Sequence, residues 1–96
     1  MSTSPVIPAI YVISPDAVAQ EIGTELIILD MASEQYISID SVGAQMWSLL
    51  ASGATMERVT ESVAHQYGAD PAIVANDLAT FVGSLENLGL IHRVAA

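Results

Sequence analysis

The chain reads as an α+β domain in which a three-stranded antiparallel sheet is followed by three helices. Three observations carry this. Residues 17–39 hold short apolar or alternating runs separated by turn-length breaks, residues 42–88 hold apolar side chains at helical spacing, and the two patterns do not interleave. Segregated strands and helices place the helices over one face or end of an antiparallel sheet. The arrangement is winged helix-turn-helix-like, with its strands N-terminal, a shape that does not by itself imply DNA binding.

Residues 1–15 read as an extended N-terminal arm, and residues 16–94 as one domain. Pro5, Pro8 and Pro15 fix φ and remove donors, although Ile7, Ile10, Tyr11, Val12 and Ile13 are apolar enough to lie across the domain. Ala17 to Ile22 is a weak first strand, closed by a turn at Gly23-Thr24. Glu25 to Asp30 is rich in β-branched residues and reads as a strand buried on both faces. A hairpin-length loop at Ala32-Ser33-Glu34 then returns Gln35 to Ile39 antiparallel.

The helices have clearer punctuation. Asp40 or Ser41 can accept the free N–H groups of a first helix running from about Val42 to Ser52 and ending at Gly53. Thr55 caps a second, with Met56, Val59, Val63, Ala64 and Tyr67 on one face before Gly68. The third opens on Asp70 followed by Pro71 at its first position. It carries Val74, Leu78, Phe81, Leu85 and Leu88 as a stripe, stops at Gly89, and spans about 28 Å. Gly83 inside it costs about 1 kcal/mol relative to Ala, which reads as a site of close approach or of helix crossing. Leu90 to Arg93 is a short exit segment that packs back.

Composition narrows the function classes. A chain of 96 residues that is 52% hydrophobic and 14% charged can fill one small core. It has no cysteine, so thiol nucleophiles, disulfides and thiolate metal sites are excluded, and intracellular residence fits. No apolar run reaches the roughly 18–20 residues that span a bilayer, and Met1-Ser2-Thr3-Ser4 lacks the basic start of a signal peptide. A soluble, cytoplasmic protein is expected, with no membrane association. Eleven acidic residues oppose only Arg58 and Arg93, for a net charge of −9. Such a chain repels a nucleic-acid duplex and favours basic peptides or basic protein patches, although high charge also keeps a small domain soluble.

Catalytic patterns are missing. His65 and His92 have no spaced carboxylate or serine partner, no metal-ligand cluster is present, and there is no glycine-rich phosphate loop. A non-enzyme without metal or cofactor is expected. Asp40-Ser41-Val42 has the look of a phosphopantetheine attachment site at Ser41, but carrier proteins are helical bundles, and strands precede this serine; capping accounts for it better.

A sheet edge is the remaining candidate. Natural domains hide such edges with Lys, Pro or a bulge, and Gln35 to Ile39 has none of these residues. An extended peptide can add there as a further strand, against the third helix as a second wall. Tyr36 and Phe81 as plain packing residues are the alternative, and an acidic winged-helix scaffold or regulator without a groove stays open.

One ordered set of residues resembles a known family. Leu29-Asp30, Gln35-Tyr36-Ile37-Ser38-Ile39-Asp40, Val42-Gly43-Ala44, Trp47 and Leu49-Leu50 are similar to protein D of pyrroloquinoline-quinone biosynthesis. They are closer still to its stand-alone relatives in lasso-peptide clusters. Thr55, Val59, Tyr67, Asp77, Phe81, Leu85 and Gly89-Leu90-Ile91 continue the resemblance over residues 14–92. It implies a recognition element for ribosomally made, modified peptides, which binds a precursor's leader as an added strand. It further implies presentation of that leader to a partner, in lasso systems a leader-cleaving, cysteine-protease-like enzyme with a cyclase acting next. By position, Gln35, Tyr36, Ile37, Ser38 and Ile39 would supply the paired backbone, and Val74, Asp77, Leu78 and Phe81 the opposite wall. Tyr36-Ile37 replaces the family's usual aromatic pair, and Ser38 stands where Gly is common.

Overall fold

The boundaries of the elements follow the punctuation of the sequence. The structure, a computed structural model, describes residues 10–94. Its elements in chain order are β1 (Ile10–Ile13), β2 (Ala17–Ile22), β3 (Glu25–Asp30), β4 (Gln35–Ile39), α1 (Ser41–Ala51), α2 (Met56–Tyr67), α3 (Pro71–Asn87) and β5 (Ile91–Val94). All three helix starts are capped by the expected side chains. Asp40, Thr55 and Asp70 accept from the N–H groups of Gly43, Arg58 and Ala72 at 2.8, 3.1 and 2.9 Å. At the α1 start it is Asp40, not Ser41, that caps, and Ser41 is the first helical residue.

The strands form two antiparallel sheets, a three-stranded one in the order β2-β3-β4 and a two-stranded one made of β1 and β5. The second sheet is absent from the sequence reading. Ile10–Ile13, read as part of an extended arm, pairs with the exit segment in the register Ile10↔Val94 to Ile13↔Ile91. Pro5 and Pro8 of that arm lie outside the described residues. Pro15 bounds β1, and the Ser14 N–H donates to the Leu90 carbonyl at 2.8 Å, which carries the pairing one residue further.

One core joins both sheets to the helices. Leu26, Ile28 and Ile39 from the larger sheet meet Met46, Trp47 and Leu50 of α1, Val59 and Val63 of α2, Val74, Leu78, Val82 and Leu85 of α3, and Leu90 and Ile91. Two expectations about burial are corrected. β3 is not buried on both faces, because Leu26 and Ile28 are enclosed while Ile27 and Leu29 are only half-buried. On that outer face Val18 and Ile22 remain 50% and 60% exposed, so no described element covers it. On α3, Val82 takes a core position, whereas Leu88 is only partly covered at the helix end. No described helix is long and apolar enough to cross a membrane.

Candidate functional site

The order of strands leaves β4 at one border of the larger sheet, and its register decides which main-chain groups are free. Gly23 and Thr24 make a two-residue turn between the paired Ile22 and Glu25, with Gly23 at a φ of 64°. Residues flanking such a turn exchange both main-chain hydrogen bonds, and bonding direction then alternates along the strand. Glu25, Ile27 and Leu29 therefore bond to β2, and Leu26, Ile28 and Asp30 bond to β4. The Met31 N–H donating to the Asp16 carbonyl at 2.8 Å extends the first series. On β4 the partners of Leu26, Ile28 and Asp30 are Ile39, Ile37 and Gln35. The N–H and C=O groups of Tyr36 and Ser38 thus point away from the sheet, and among the described residues no strand pairs with them.

Side chains divide by the same alternation. Gln35, Ile37 and Ile39 share the core-side face with Ile28, while Tyr36 and Ser38 stand on the outer face. Exposure agrees, with Ile39 at 6% and Tyr36 at 69%. Ser38 donates from its hydroxyl to the Glu25 carboxylate at 3.0 Å, which ties the outer face of β4 across the sheet.

A groove of about 360 Å³ lies on the core side of this border. Ile28 and Ile37 form its sheet wall, Leu88 and Leu90 its wall at the end of α3, and Asp30, Ser33, Glu34, Gln35 and Tyr36 its hairpin end. Leu88 and Leu90 were not among the residues assigned to the site from sequence. Its helical spacing places Leu88 on the core stripe and cannot show that the stripe runs past the end of the packed layer.

The residues expected on the opposite wall divide. Val74 and Leu78 are buried in the core, Asp77 is exposed, and Phe81 is half-buried. At 3.6 residues per turn Asp77, Phe81 and Leu88 fall within about 40° of one another on α3, so one side of the helix carries all three. Leu88 shares the groove with Gln35, Tyr36 and Ile37, and Phe81 lies towards the start of α1. A Cβ built on Gly43 would lie 3.6 Å from the Phe81 ring and would collide with the Ile39 side chain. Gly43 is therefore the residue whose missing side chain lets the start of α1 seat on the end of β4. Gly83, read from sequence as a point of close approach, has open space where its Cβ would be. It stands roughly 200° around the helix from Phe81 and belongs to a different side.

Charge and titration add little at this site. Tyr11 on β1 is half-buried, and burial raises its phenol above the ordinary value of 10.0; the Glu86 carboxylate adds to the rise and Arg93 opposes it. His65 and His92 are exposed on α2 and β5, and no three His, Cys, Asp or Glu residues gather into a metal site among the described residues. Ser41 opens α1 directly after a strand, unlike the helical setting of a carrier-protein serine.

Comparison with known proteins places these features in context. The family model described as coenzyme PQQ synthesis protein D (PqqD) matches residues 25–91. No curated protein sequence matches the chain. Among solved structures, TbiB1 in complex with the TbiA(beta) leader peptide superposes with a TM-score of 0.80 at 31% identity, over 88% of this chain and 98% of that one. Lasso peptide synthetase B1 complexed with the leader peptide gives a TM-score of 0.79 at 20% identity, over 85% and 96% of the two chains, a likeness of fold.

Proposed function

Since this chain belongs to the coenzyme PQQ synthesis protein D family, we propose that it is a non-catalytic recognition element, a single winged-helix-like domain that takes in β1 as well as residues 16–94 and binds the leader of a ribosomally made precursor peptide. The leader adds to β4 as a fourth strand and lays alternate side chains into the groove beside α3. The observation that carries this is the β4 border, where no described strand pairs with Tyr36 and Ser38 and a groove lined in part by Ile37 and Leu88 lies alongside. TbiB1, 31% identical, is seen in complex with a leader peptide, which supports the reading. Gln35, Ile37 and Ile39 shape the receiving face, Phe81 closes its α1 end, and Asp77 edges the same side of α3. Val74 and Leu78 hold α3 in place from beneath.

The energetics are those of a transient complex. An antiparallel guest exchanges about four hydrogen bonds with Tyr36 and Ser38, at about 1 kcal/mol net each. Two apolar anchors contribute roughly 1.5–3 kcal/mol each. Ordering a flexible leader costs about 2–5 kcal/mol. The balance corresponds to binding weaker than about micromolar, which suits a precursor that is handed on. The receiving partner in this reading is a cytoplasmic leader-cleaving, cysteine-protease-like enzyme, with a cyclase following.

Titration of the isotope-labelled chain with the TbiA(beta) leader, and with leaders encoded beside this chain's gene, tests the reading. Amide shifts centred on Tyr36, Ser38 and the C-terminal end of α3 are expected. Shifts that avoid residues 35–39 and α3 for every leader would falsify strand addition and favour a scaffold or regulator without a peptide groove.

A further inference from the structure

The groove beside β4 differs chemically from end to end, and the ladder fixes the spacing of its two parts. Opposite Ile37 it is apolar, through Ile28, Leu88 and Leu90, whereas its hairpin end carries Asp30 and Glu34. Ile28 pairs with Ile37 and Asp30 with Gln35. On an added strand, the positions opposite Ile37 and Gln35 are therefore two residues apart and point to the same side. An antiparallel guest, the slightly more stable pairing, meets Ile37 before Gln35.

We propose that the groove selects leaders bearing Lys or Arg two residues after an apolar anchor, the anchor resting against Ile37 and Leu88 and the cation between Asp30 and Glu34. This rests on strand addition at β4 and names the chemistry of the guest. The Asp30 carboxylate is already held by the hairpin, accepting from the Ala32 N–H at 3.1 Å and the Ser33 hydroxyl at 2.7 Å. A guest cation meets it without having to order it. Glu34 adopts a left-handed φ of 61°, in a turn closed by its own N–H donating to the Asp30 carbonyl at 2.8 Å, and this turn delivers its side chain to the same groove. The chain cannot easily supply the cation itself, because it has no lysine and its two arginines sit on α2 and β5. The net charge of −9 also draws cationic peptides towards the molecule. At an exposed groove mouth the effect is modest, about two- to fivefold in affinity, and it fades with salt.

The test is a display library of random linear peptides selected on the full chain and, in parallel, on Glu34→Lys. Binders that shift the Tyr36 and Ser38 amides are expected to carry Lys or Arg two residues after an aliphatic or aromatic residue. Selection on Glu34→Lys should lose that preference. Replacing the cation of one such peptide by Gln should weaken its binding about two- to fivefold on the unaltered chain and less on Glu34→Gln, a milder change should Lys disturb the turn. Binders at β4 with no charge preference at that position would overturn this inference and leave strand addition standing. A selection in which every binder avoids β4 would overturn both.

Discussion

β2 and β4 border the same three-stranded sheet, and both present unpaired main chain among the described residues, yet the groove beside β4 is walled by the end of α3, whereas the hollows that reach β2 are its own open outer face and a more polar one against the start of α1. Every residue of β2 after Ala17 is exposed. A guest on either border would gain similar hydrogen bonds, at about 1 kcal/mol net each. Beside β4 its side chains can in addition leave water against the end of α3, at roughly 1.5–3 kcal/mol for each anchor. Free main chain is thus common to both borders, and the helix end beside one of them makes the difference.

The sharpest way to break this comparison is a proline on each border. Ser38→Pro removes an outward N–H on β4 and is expected to weaken leader binding at least thirtyfold, about 2–3 kcal/mol, in calorimetric titration. By the same alternation the outward groups of β2 belong to Ala17, Ala19 and Glu21, so Ala19→Pro should leave leader affinity within about twofold of the unaltered chain. Equal losses would erase the distinction.

Next in size is the packing beneath β4. Gly43→Ala drives a methyl onto Ile39, and a loss of about 1–2 kcal/mol in urea unfolding is expected. A smaller effect belongs to the wall itself. Leu88→Ala trims a side chain that is 39% exposed and should cost the leader about 1 kcal/mol, roughly fivefold in affinity, with little change in melting temperature. An unchanged affinity would remove the helix end from the site.

The smallest effect lies furthest from the border. The raised phenol of Tyr11 means that the fold favours the neutral form. The associated stability is complete below the unfolded value of about 10 and is lost as pH rises through the folded value. Thermal melts between about pH 9 and 11 should therefore fall more steeply for the unaltered chain than for Tyr11→Phe.

These experiments also mark what could be read from the chain alone. β2, β3, β4 and all three helices were legible because their boundaries are local. Gly23-Thr24 forces a turn, and Asp40, Thr55 and Asp70-Pro71 each cap a helix with their own side chains. The pairing of β1 with β5 was not, since Ile10–Ile13 and Ile91–Val94 meet only through tertiary contact and carry no shared local signal. The border strand itself followed from strand order. Which of its residues face outward did not, because that parity comes from the turn type and register together. Leu88 and Leu90 went unassigned for a related reason, as helical spacing identifies a side of α3 but not where the packed layer ends.

The partnership of β1 and β5 has one more consequence. The first and last strands of the described chain lie side by side, with Ile10 opposite Val94. Circular permutation of residues 10–94 should therefore be tolerated, with Val94 joined to Ile10 by a short linker and new ends opened at the exposed Ser52-Gly53 bend.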